Sequence, residues 1–233
     1  RFGYEQVLLQ VESLSSSSNN ARQIRDAIMA MPLQGKEPRL VLIGYSKGAT
    51  DILEAVVTYP EIRPRIAAVV STAGTIGGSP LANDASQSML ALMRHWPGAR
   101  CSPGDGGALE SLRTDRRKDW LAQNPLPRSL PYYSVVTFPQ PERISTLLKP
   151  SYNKLSRVDA RNDSQVLFYD QVIPDSTLVG YLNSDHWAVA VPIARSHASI
   201  GATFVNHNDF PREVLLEALL RFIEEDLAHS SRR

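Results

Sequence analysis

The chain has little of what would mark a disulfide-stapled, membrane-embedded or nucleic-acid-binding protein. It holds one cysteine, Cys101, in 233 residues, which excludes a disulfide framework and a cysteine-rich zinc site. Cys101 lies in the loop-like stretch Pro97 to Gly107 with no strand before it, and reads as a free loop thiol, not a nucleophile. No apolar run approaches the roughly 20 residues of a bilayer-spanning helix. No signal-peptide pattern is visible, a feature a mature secreted chain would share, so the compartment stays open. Charge of one sign is missing too. With 25 Lys and Arg against 24 Asp and Glu, the net charge of +1 gives nucleic acid or an anionic surface nothing to grip. The short basic cluster Arg113, Arg116, Arg117 and Lys118 is interrupted by Asp115 and Asp119 and reads as a solvated helix face.

What is present is an apolar core. An apolar content of 42% over this length suits one α/β domain spanning 1–233. Val7 to Val11 reads as a short strand. Asn19 or Asn20 is placed to cap a helix from Ala21 to Met31, with Ile24, Ala27 and Ile28 on one face. Pro32 and Gly35 end it. Leu40 to Ile43 is wholly apolar, as a buried parallel strand should be. A helix with Ile52, Leu53, Val56 and Val57 inward follows, then a strand at Ile66 to Val70. This rhythm predicts right-handed crossovers and a parallel sheet. It breaks between Gly74 and Pro131, where two helical stretches, about Ala85 to Trp96 and Ala108 to Gln123, read as a cap inserted at about 75–130. Strands resume at Tyr132 to Thr137 and Thr177 to Leu182. A closing helix has Asp209 as its cap, Pro211 in the first turn, and an inward face of Leu215, Leu216, Leu219, Phe222, Ile223 and Leu227.

The most informative residues are Gly44-Tyr45-Ser46-Lys47-Gly48, between the strand at Leu40 and the helix after it. Strand, G-x-S-x-G, helix is the setting of a nucleophile on a sharp, strained turn. Glycines two positions to either side would let strand and helix approach closely. The Lys47 side chain reads as solvated, pairing weakly with Asp51 one turn on.

A serine hydroxyl is a poor nucleophile at neutral pH and needs a base, and that base an orienting acid. Of His95, His186, His197, His207 and His229, one follows a predicted strand directly. Thr177 to Leu182 delivers Asn183-Ser184-Asp185-His186 to the sheet edge where Ser46 should stand. The acid should come from the long connection after Tyr132 to Thr137, which holds Asp159, Asp163, Asp170 and Asp175. Spacing does not choose among them. Asp170 has the look of an acid loop in Asp170-Gln171-Val172-Ile173-Pro174, Asp175 lies too close to the last strand, and Asp185 reads as a turn residue.

Several segments resemble the bacterial triacylglycerol lipases of the α/β-hydrolase superfamily. Leu40 to Gly48 is similar to their nucleophile segment, although their pentapeptide commonly has His where this chain has Tyr45. Ser71-Thr72-Ala73-Gly74 through Gly77-Gly78-Ser79-Pro80 resembles their passage into the lid, and Pro131-Tyr132-Tyr133-Ser134 their next strand. Asn162-Asp163-Ser164-Gln165-Val166 is similar to their acid motif Asn-Asp-Gly-x-Val, and Asp185-His186 with Val189 to their histidine loop. The resemblance selects Asp163 as acid with Asp170 as runner-up. It implies a serine esterase acting on small-molecule or lipid esters through Ser46, Asp163 and His186, with the Lys47 amide in the oxyanion hole. That chemistry needs no metal or organic cofactor, and thioester hydrolysis or acyl transfer would use the same residues. The family fold also implies a strand between those at Val7 and Leu40, followed by a loop with a second oxyanion donor. No matching segment precedes Val7, so an N-terminal portion of the same parent polypeptide is the expected source. A non-catalytic binding module on the same fold is the competing expectation.

Overall fold

The computed structural model describes residues 4–32, 40–84 and 104–230. The expected helix at Ala85 to Trp96, and with it His95, Gly35 and Cys101, lies outside them. The described chain starts with helix α1 (Ser17–Ala30), strand β1 (Leu40–Tyr45) and helix α2 (Lys47–Thr58). A 3-10 turn leads into β2 (Ile66–Thr72); α3 (Thr114–Gln123), β3 (Tyr132–Thr137), β4 (Thr177–Leu182) and α4 (Arg212–Ser230) follow, with shorter helices such as Ala108–Ser111 and Lys149–Leu155 between them. The four strands form one parallel sheet in the order β1-β2-β3-β4. All four C-terminal ends therefore point to one rim, where their loops converge.

Both faces of the sheet are covered, which is why its central strands carry unbroken apolar runs. One face packs on α1 and α2, with Ala21, Ile24, Ile28, Leu53 and Val56 against Leu42, Ile66, Val69 and Tyr132. The other packs on α4, with Leu219 and Ile223 against Ala68, Val70, Tyr133 and Val135. An extra residue in β2, where Leu40 pairs with Ile66 but Val41 with Ala68, turns Ile66 to the same face as Val69.

Several expectations are corrected. Val7 to Val11 is not a strand. Val7 and Leu8 are exposed and Val11 is half-buried against the α1–α2 core, because the segment meets no strand edge among the described residues. Helix α1 starts at Ser17, not Ala21. Ser16 caps it, its hydroxyl accepting the Asn19 amide at 3.2 Å. Asn20 is instead buried, donating to Asp51 on α2 at 2.8 Å. The stretch from Ala108 to Gln123 is two helices, not one. Arg113 is extended, Leu112 gives its carbonyl to the Ser79 amide, and Asn83 accepts the Thr114 amide, so the break is satisfied by the neighbouring segment. Nor is the basic cluster uniformly solvated. Arg117 is buried, stacked 4.5 Å over Trp120 and donating to the Ile76 carbonyl.

The junction of β1 and α2 carries the strain expected of it. Ser46 sits at φ 53°, and its amide donates to the Thr72 carbonyl on β2 at 3.2 Å. The two glycines beside it are not equivalent. A Cβ on Gly44 would lie 2.4 Å from the Ala49 Cα and 2.5 Å from its nitrogen, whereas one on Gly48 would meet nothing within 4 Å. Close approach thus needs Gly44 alone. Thermal denaturation should separate them. Gly44→Ala is expected to cost about 2 kcal/mol or more, since backbone must move. Gly48→Ala should be neutral or stabilise by about 0.5–1 kcal/mol through helix propensity.

Candidate active site

Three loops at the sheet's C-terminal rim bring together residues far apart in sequence. Ser46 ends β1, His186 follows β4, and Asp163 lies in the long connection after β3. The His186 Nε2 atom is 2.9 Å from the Ser46 hydroxyl oxygen, and its Nδ1 atom is 2.7 Å from Asp163 Oδ2. The histidine amide also donates to the Asp163 carbonyl at 2.9 Å, so the two loops are joined through backbone as well as side chain. Asp163 and His186 are buried, and Ser46 is half-buried. Neither His197, His207 nor His229 is bonded to Ser46. The His229 ring instead meets the Glu225 carbonyl on its own helix.

Asp163 is a fully buried carboxylate, which is costly unless its lone pairs are used. Oδ1 accepts the Gln165 and Val166 amides at 2.9 and 2.8 Å, and Oδ2 accepts the Thr137 hydroxyl at 2.7 Å beside the imidazole. Thr137 is in turn held by Gln171, whose side chain accepts the Thr137 amide and donates to its carbonyl. Neither Thr137 nor Gln171 was singled out in the sequence. The end of a predicted strand facing the acid loop was the available signal for Thr137, and nothing local marked Gln171.

Asp170 lies elsewhere. It sits in a 3-10 turn with its carboxylate against Gly77, where an added Cβ would come 2.3 Å from Oδ1. Burial pushes its pKa up to about 6, with Lys118 opposing. Asp185 is the turn residue expected of it, accepting the Ala188 and Ser145 amides. The Lys47 side chain pairs with Asp51 as expected but is not solvated. It is only 13% exposed and binds both oxygens of the buried Asp51, at 2.8 and 2.9 Å. The Lys47 amide opens α2, a position with no acceptor within the helix. Among the described residues no cluster of three or more metal-ligating side chains occurs, and no helix is long and apolar enough to cross a membrane.

The segment Asn162 to Val166 departs from the motif it resembles at one position, and the geometry says what that costs. Ser164, where the motif has Gly, is held at φ 84°, and its buried hydroxyl has no partner. Ser164→Gly should therefore raise stability by about 1 kcal/mol in a denaturant titration, the relief of strain and desolvation outweighing glycine's chain entropy.

No protein-family model matches the chain, and no curated protein does. Solved structures do. The metagenomic carboxyl esterase MGS0156 is 40% identical over 97% of this chain and 67% of its own, with a TM-score of 0.88. The Bacillus licheniformis lipase BlEst2 in mature form is 17% identical over 78% of this chain and 71% of its own, with a TM-score of 0.62. The Staphylococcus hyicus lipase is 13% identical over 96% and 87%, with a TM-score of 0.61. At those identities the two lipases show a shared fold alone, whereas the esterase is similar enough in sequence to show kinship. On the parallel sheet, the strained serine and this likeness together, the chain belongs to the carboxyl esterases of the α/β-hydrolase superfamily.

Proposed function

We propose that the protein hydrolyses carboxylic esters through an acyl-enzyme, with Ser46 as nucleophile, His186 as general base and acid, and Asp163 as the orienting carboxylate. The observation that carries this reading is the continuous contact from the Ser46 hydroxyl through the imidazole to a buried, fully bonded carboxylate. As Ser46 Oγ bonds to the acyl carbon, His186 Nε2 takes the serine proton. Asp163 holds the Nδ1 proton and so fixes the tautomer in which Nε2 can accept. The Lys47 amide donates to the tetrahedral oxyanion. Collapse breaks the ester C–O bond, and the imidazolium gives its proton to the departing alcohol. Water then attacks the acyl carbon, loses a proton to His186, and releases the acid and free serine. A lipid-like or medium-chain ester is the substrate class that the apolar sequence of the expected cap at about 75–130 suggests. Profiling p-nitrophenyl esters of increasing acyl length tests that preference.

A fluorophosphonate probe tests the nucleophile. Wild type should be labelled stoichiometrically at Ser46, and labelling should vanish in Ser46→Ala and His186→Ala. A silent wild type would favour a non-catalytic module. The acid is tested by a pair of variants. Asp163→Asn should lower kcat on the order of 10³–10⁴-fold, the loss that follows when the imidazole takes the wrong tautomer. Asp170→Asn should leave kcat within a few-fold.

The Asp170 variant also has a pH signature. Its carboxyl is raised from 3.8 to about 6 in the fold, so the folded state binds the proton more tightly than the unfolded. Stability from this group is full below 3.8 and falls as pH rises toward 6. Asp170→Asn, which cannot ionise, should therefore melt higher than wild type at pH 7–8, and the gap should close by about pH 4.

A further inference from the structure

Tyr45 precedes Ser46 directly and is the last residue of β1. Its hydroxyl donates to the main-chain carbonyl of His186 at 2.7 Å, across 141 positions of sequence. Its ring lies beside the imidazole, with centroids 5.1 Å apart and planes tilted by 36°. Among the described residues, this is the one hydrogen bond joining the histidine loop to β1 other than the Nε2 contact to Ser46 itself. The His186 amide is tied to the Asp163 carbonyl, so the histidine backbone is held at both ends. The acid loop takes one end and the nucleophile strand the other.

We infer that Tyr45 is a positioning residue for the reaction, its hydroxyl fixing the main chain of His186 and its ring backing the imidazole. The inference rests on the roles proposed for Ser46, His186 and Asp163. The physical case is one of rigidity. A strand bonded along its length to a parallel neighbour is held more tightly than the loop that follows β4. A bond from the strand residue adjoining the nucleophile couples the base to the very backbone that carries Oγ. Misplacement of a reacting group by about 1 Å can cost as much as 10²-fold. The bond also persists across the working range. A carbonyl can only accept, so the phenol must stay protonated. Burial first, then the Asp163 and Asp185 charges, with Arg212 opposing, hold its pKa well above 10.

The test uses wild type, Tyr45→Phe and Tyr45→Leu, with rates expressed per fluorophosphonate-labelled site. Loss of folded protein then does not count as loss of rate. On p-nitrophenyl butyrate, Tyr45→Phe should lower kcat roughly tenfold with KM within about twofold. The acidic limb of its kcat/KM profile should be displaced from that of wild type. Tyr45→Leu, which also removes the ring, should lose more. The inference is overturned if Tyr45→Phe keeps kcat within about twofold and leaves the acidic limb in place, whatever Tyr45→Leu does. A purely structural role would lower the melting temperature and labelled fraction and leave both kinetic readouts unmoved. An unlabelled wild type is a separate outcome and would remove the underlying roles first.

Discussion

A serine held at positive φ is the constraint on which the site depends. Ser46 stands at 53°, a conformation that costs on the order of 1–3 kcal/mol unless the surroundings impose it. They do so from both sides. The Ser46 amide is bonded to Thr72, its carbonyl accepts the Ala49 and Thr75 amides, and Gly44 packs against Ala49 closely enough to forbid a side chain. Ala73, at the end of the adjacent strand, is also left-handed, at 48°, with its amide bonded to Val135 on β3. Two neighbouring strands thus end in strained residues at one rim.

The second requirement is electrostatic. An imidazolium forming in a buried place needs a carboxylate that stays in position, and a buried carboxylate needs donors. Asp163 receives four, two amides, one hydroxyl and the imidazole, which leaves it no reason to rotate. Thr137 supplies the hydroxyl from the end of β3, and Gln171 clamps Thr137 from the next turn. The aspartate is therefore oriented by the sheet as much as by its own loop. Tyr45 bonds the His186 main chain as Thr137 bonds the Asp163 carboxylate, in each case from the last residue of a strand.

Much of this was legible in the amino acids. Tyr132–Thr137 and Thr177–Leu182 are strands with the expected bounds, and Leu40 and Ile66 open the two others. Long apolar runs bounded by turns leave a buried strand few alternatives. His186 stood out because a strand led straight to it. Arg117 and Lys47 were misread because contacts beyond their own helix bury them. Arg117 is buried because Trp120 and the Ile76 carbonyl receive it, and Lys47 because Asp51 is itself enclosed by Asn20. Val7 to Val11 has the composition of a strand but no described edge to join.

Local composition and periodicity determined the parallel α/β plan, the strained turn at Ser46 and the histidine beyond β4, because burial pattern and turn chemistry act within a few residues. Spacing left open which aspartate meets the imidazole; the resemblance pointed to Asp163, and the three-dimensional structure puts Asp163 beside His186. Asp163 and Asp170 lie seven positions apart in one irregular connection, and nothing in their spacing says which way that connection folds. The tertiary structure turns one toward His186 and the other against Gly77, since only the first finds the amides and the Thr137 hydroxyl that make a buried charge tolerable.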